Sequence, residues 1–195
     1  MPIQTTAHSI IVQKNEALIR RLVERFIEHP RSLMISLKEF PGCVYWTMQA
    51  HADDHAKLVG KGGSHYDALR LIIAELGRSS ETLYILRRFI EPEPAPRRER
   101  MARREAVIYD CIPARDLLCE LLESMGIGQF TNTVVSIDQH YDFHITVRDA
   151  DDIKFLTESR SDTEHPMTIK DAIATLFRAY ANRDGVRFGI EVRLG

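Results

Sequence analysis

Leu18, Ile19, Leu22, Val23, Phe26 and Ile27 recur at three- and four-residue spacing, which predicts an amphipathic helix from about residue 16, stopped by Pro30. The pattern then changes period. Leu33, Ile35 and Leu37 alternate with Met34, Ser36 and Lys38, and Phe40-Pro41-Gly42 is a turn signal before a second run from Cys43 to His51, so a β-hairpin is expected. A short helix is predicted over Asp53 to Val59, and Tyr66, Leu69, Ile72, Ile73 and Leu76 form the apolar stripe of a longer one ending at Gly77. A strand from about Thr82 to Ile90 closes the series, giving the order α-β-β-α-α-β.

The order then returns. Leu117, Leu118, Leu121 and Leu122 predict a helix, Thr133 to Asp138 and Tyr141 to Arg148 two strands, and Asp151 the start of a short helix. A longer helix runs through Ile169, Ile173, Leu176, Phe177 and Tyr180, and Val186, Phe188, Ile190, Val192 and Leu194 alternate as a last strand. Residue matches support a repeat: Ala52-Asp53-Asp54 answers Ala150-Asp151-Asp152, and Ser64-x-x-Asp67-Ala68 answers Thr168-x-x-Asp171-Ala172. Each member of the second pair reads as a capping box, a hydroxyl at the N-cap with an acid three residues on. The fold class is therefore α+β, with two tandem domains, 1–90 and 107–195, each a three-stranded sheet covered by helices on one face. Residues 91–106, with three alternating prolines followed by an arginine-rich run, read as a linker, extended at first and helical in its arginine part. That run either meets phosphates or is a solvated face.

Composition changes this picture little at first. With 26 Lys+Arg against 28 Asp+Glu the formal charge of the 195-residue chain is −2, and 44% hydrophobic with 28% charged residues is ordinary globular composition. The N-terminus lacks a basic region before an apolar run, and no stretch approaches the roughly 18 apolar residues of a membrane span. Cys43, Cys111 and Cys119 lack CxxC spacing, which predicts buried thiols and a cytoplasmic protein. Division of the chain is more informative: residues 1–90 carry 12 basic against 9 acidic residues, the linker 5 against 4, and 107–195 only 9 against 15. A mildly basic half precedes an acidic one.

Three of the ten glycines fall within four residues, Gly60-Lys61-Gly62-Gly63, between two predicted helices. Gly60 and Gly63 can take positive φ and hold no Cβ against an approaching backbone, and Gly62 removes another side chain. Lys61 is left as the one bulky residue of the loop, a flexible point charge beside the amides that open the next helix. Leu58-Val59-Gly60-Lys61-Gly62-Gly63 in this element order resembles the hydrophobic-hydrophobic-GxxG signature of type II KH domains, over nearly all of residues 16–90. More closely, the run from Leu18 through Pro30 to Gly77 resembles the small bacterial single-KH proteins of the KhpA type. The resemblance implies a non-enzymatic protein without cofactors that binds single-stranded nucleic acid, RNA or else single-stranded DNA, by clamping about four nucleotides of backbone. By the same resemblance Val59 floors a base groove, Ser64 borders the loop, and Arg70, one turn on, adds charge unless it is simply solvated. Ser64, His65 and Asp67 stand where the family often has a cation, so modest affinity is expected.

In the second domain the aligned residues are Glu164-His165-Pro166-Met167, and the connector 157–167 contains no glycine. It resembles a degenerate KH domain, suited to packing on the first copy or to a protein partner. The chief rival for the whole chain is a protein-interaction scaffold whose loop glycines only shape a turn. His51-x-x-x-His55 has metal-ligand spacing but reads as a surface pair, and Trp46 and Tyr45 read as core and sheet face rather than a base-stacking platform.

Overall fold

In the computed structural model, which describes residues 3–87, 89–90, 112–127, 134–137, 142–160, 166–184 and 189–194, the apolar spacing from residue 16 is the C-terminal part of a longer helix, α1 (Ile3–Glu24). Val12, Leu18, Ile19, Leu22 and Val23 are its buried stripe, and Phe26 and Ile27 remain buried in the turn beyond it. Pro30 does not end this helix. It opens a 3-10 turn, Pro30–Ser32, where a residue without an N–H loses nothing.

Strands β1 (Met34–Phe40) and β2 (Cys43–Gln49) pair antiparallel, with Phe40 opposite Cys43 and Pro41-Gly42 as the turn; Gly42 sits at φ +77°. Helices α2 (Ala52–Val59) and α3 (Ser64–Arg78) carry the chain back so that β3 (Leu83–Leu86) lies parallel to β2, giving the sheet order β1-β2-β3. The regular strand is shorter than the alternation from 82 to 90. The amides of Arg87 and Ile90 still bond to the carbonyls of Trp46 and Met48, so the chain follows β2 beyond it. Val44, Trp46, Met48, Tyr84 and Leu86 point into the core, joined by Leu58, Leu69, Ile72 and Leu76 from the helices.

α3 ends at Arg78, one residue past the stop expected at Gly77, but Gly77 does not take the left-handed conformation of a capping glycine. It lies buried within α3, where a Cβ would overlap the Thr82 carbonyl and approach Tyr84 Cγ to 2.8 Å, so its role is to let α3 touch β3.

The second half repeats the plan with α4 (Ile112–Ser124), β4 (Val134–Ile137), β5 (Phe143–Val147) and α5 (Ala150–Thr157). The connector then forms a short antiparallel ladder, β6 (Ser159–Arg160) with β7 (Met167–Thr168), before α6 (Ile169–Asp184) and β8 (Ile190–Leu194). The second sheet has the order β4-β5-β8, antiparallel then parallel, like the first. Nothing in the sequence reading anticipated β6 and β7. Residues 186–188 of the expected last strand, the linker 91–106, and Cys111 lie outside the described residues. Cys43 and Cys119 are free thiols, half-buried rather than buried, and burial pushes the Cys119 thiol up.

The two units pack α3 against α6 and α1 against α4. The contacts are reciprocal. Arg25, at the end of α1, lies over the Tyr180 ring of α6, and Ser79, at the end of α3, donates to the Ser124 carbonyl of α4 at 2.8 Å. Arg21 of α1 pairs with Glu120 of α4 between them. This is the pattern of an isologous dimer written into one chain. Among the described residues no helix is long and apolar enough to cross a membrane.

Candidate nucleic-acid interface

The glycine loop is a single 3-10 turn, Lys61–Gly63, between α2 and α3. Gly60, Gly62 and Gly63 all take positive φ, at +77°, +62° and +84°. Their reasons differ. A Cβ on Gly60 would meet the His65 ring at 2.6 Å, so packing as well as conformation requires glycine there, whereas around Gly62 there is open space within 4 Å. Lys61 and Gly62 are exposed, while Gly63, Ser64 and Val59 are half-buried, Val59 against the core. The loop's own backbone bonds use the amides of Gly60, Gly63 and Ser64, not those of Lys61 and Gly62.

Ser64 is not an N-cap. Gly63 occupies that position in left-handed conformation, with no side-chain cap, and Ser64 is the first residue of α3. The carboxylate expected near the phosphate path, Asp67, is buried in the first turn under Gly63, favourably placed at a helix N-terminus. Arg70 is half-buried on the next turn and engaged with neighbours, so it is not the simply solvated arginine of the alternative reading.

Two residues that hold the loop were not singled out from sequence. His65 Nδ1–H donates to the Lys57 carbonyl at 2.6 Å, and its ring lies 5.6 Å from that of Phe26, so the first turn of α3 is latched to the last turn of α2. At the other end of α2, Asp54 is fully buried and accepts from the amides of Glu28 at 2.8 Å and His29 at 2.7 Å. Lys57 Nζ bridges Asp54 at 3.1 Å and Glu28 at 2.8 Å. Burial works to raise the Asp54 carboxyl, but the two amides and the Lys57 ammonium hold it below its ordinary range. The sequence signal was the Asp53-Asp54 match to Asp151-Asp152, which revealed a repeat but not a buried anchor.

His51 meets His29, not His55: the two rings lie 4.1 Å apart at 31°, and with Asp53 they bring possible ligand atoms within 4.8 Å of one another. The arrangement serves the helix start instead. His51 Nδ1 accepts the Asp53 amide as N-cap, and His29 Nδ1 faces Asp54 at 3.0 Å. Trp46 is in the core, and Tyr45 is on the sheet's outer face.

In the second unit residues 161–165 of the connector lie outside the described residues, and the residues before them are turned to packing. Arg160 of β6 reaches Glu75 of α3 at 3.6 Å, and Phe155 of α5, at the position answering Lys57, lies 5.1 Å under both Arg78 and Arg160. The end of α5 and β6 are thus part of the contact between copies. Set against family models, curated proteins and solved structures, the chain matches none.

Proposed function

We propose that this chain is a non-enzymatic protein that binds single-stranded nucleic acid, RNA in the first instance, on a tandem of type II KH-like units of which only the first has a working loop. The observation that carries the reading is the loop itself: three left-handed glycines, with Lys61 and Gly62 exposed and their amides unused by the loop's own bonds. A phosphate approaching Gly62 meets no side chain, and the start of α3 and Lys61 supply positive potential. Val59 and Arg70 flank the path. The basic balance of residues 1–90 favours a polyanion there, and the acidic second unit acts as a brace.

The test is fluorescence anisotropy with a labelled single-stranded RNA pool. Lys61→Asp together with Gly62→Asp sets two carboxylates against phosphate and strongly weakens binding, while the left-handed Gly62 site costs the Asp only about 1 kcal/mol, so that the chain stays folded in a thermal melt. Log affinity falls with log salt by about 0.7 per phosphate contacted. Equal affinity in the double variant leaves the glycines as a turn, and no binding by the wild-type chain, or a flat salt dependence, leaves the chain as a scaffold.

A further inference from the structure

The helices of the first unit cover one face of its sheet, and among the described residues no helix covers the opposite face. The register aligns Lys38, Tyr45 and Ile85 in one row across β1, β2 and β3 and puts Phe40 and Leu83 in the next, with Arg87 just past β3. Sheet faces toward water ordinarily carry short polar side chains. Ser36, Thr47 and Gln49 follow that rule, but at the hairpin end of the face Phe40 is 42% exposed and Leu83 59%. Arg87 Cζ lies 4.3 Å from the Tyr45 ring centre, Phe40 stands edge-on to Tyr45 at 5.4 Å, and Lys38 Nζ is 5.3 Å from the Phe40 ring centre.

The second unit supplies an internal comparison. There the register puts His144 and Thr146 beside Glu191 and Arg193, and Glu191 pairs with both His144 and Arg193. The same face of the same fold is thus polar and ion-paired in one copy and aromatic and cationic in the other. Folding does not require the second arrangement. Self-association through it would bring together two faces that each carry Lys38 and Arg87, so the charge favours an anionic partner.

We propose that this face is a second contact for single-stranded nucleic acid, separate from the glycine loop. Bases stack on Phe40, Tyr45 and the Arg87 guanidinium plane, and Lys38 and Arg87 meet phosphates. The inference rests on the nucleic-acid reading above for its class of partner, but not on the loop. Because the loop joins helices on the other side of the sheet, one strand must pass around a sheet edge to touch both, which makes binding length-dependent.

The test uses the full chain and oligouridylates of about 5 nucleotides, near the four that one backbone clamp spans, and of about 20. Phe40→Ala with Arg87→Gln alters two exposed side chains, and thermal melting checks the fold. The face variant is expected to bind the longer oligonucleotide about tenfold more weakly, with a salt slope lower by about 0.7. A 4-thiouridine-substituted 20-mer is expected to crosslink to peptides containing Phe40 or Tyr45. Wild-type affinity and slope in the face variant, with crosslinks confined to residues 60–64, would overturn the proposal. So would loss of a concentration-dependent dimer, or of binding to an acidic peptide, without loss of RNA affinity. If the loop variant keeps its affinity while the face variant loses it, the loop reading fails and this one stands. A wild-type chain that binds neither oligonucleotide sinks both.

Discussion

Asp54 and Asp152 occupy corresponding places in the two repeats and have opposite electrostatics. Asp54 has two amides and Lys57 and is held low; Asp152 is pushed up by burial first and then by Asp149 and Asp151. The cation is missing because the position of Lys57 is filled by Phe155, which serves the contact between units. The sign of each contribution follows. A depressed carboxylate stabilises the fold above its ordinary value of 3.8 and loses that contribution as pH falls below it; a raised one costs stability once ionised. Asp54→Asn is therefore expected to lose about 3 kcal/mol at neutral pH and to flatten the acid limb of stability against pH. Asp152→Asn is expected to be neutral or slightly stabilising. Urea unfolding at pH 7 and pH 3.5 checks both, and a larger loss for Asp152→Asn would contradict the assignment.

Among the elements, the two long helices α3 and α6 begin differently although their sequences look alike. Thr168 is a working N-cap: its hydroxyl accepts the Asp171 amide at 3.0 Å and donates to the Asp171 carboxylate at 2.6 Å. Ser64 has become the first helical residue because the left-handed Gly63 takes the cap position. Thr168→Ala should cost about 1 kcal/mol, and Ser64→Ala well under half of that, as thermal melts of the two single variants would report. A capping box is legible as a residue pattern, but which residue ends up at the cap depends on the backbone path into the helix. The same holds for Gly77, whose position after an apolar stripe resembles a helix stop. Its real constraint comes from the close approach of Thr82 and Tyr84, which no local pattern encodes. By contrast the hairpin, the paired α2 and α3, and their return in the second half follow from periodicity and turn residues, since those are local properties.

At the level of the whole molecule, α3 is buried between its own sheet and α6, which is why Ala68, Leu69, Leu71, Ile72, Ile73 and Leu76 are all inaccessible although one face would suffice for a single domain. Glu75 sits at this seam between Arg78 and Arg160, each at 3.6 Å. Glu75→Lys adds a third cation to a buried site and should lower stability by at least about 3 kcal/mol. It should also split the single unfolding transition expected of the full chain into two, read by circular dichroism in urea. An unchanged single transition would mean that Glu75 is not what holds the units together.

Sequence by itself determined the α+β class, the twofold repetition of α-β-β-α-α-β, and the concentration of glycine and charge at residues 60–63, because helix and strand periods, turn residues and composition are written along the chain. Only the tertiary structure decided which glycines are needed for packing and which leave open space, that Asp54 and His65 anchor the two ends of α2, and that the second copy's connector presses on α3. It alone also set Lys38, Phe40, Tyr45 and Arg87 side by side. These depend on strand register and helix packing between residues far apart in sequence, where contact is settled by burial and geometry rather than by neighbours along the chain.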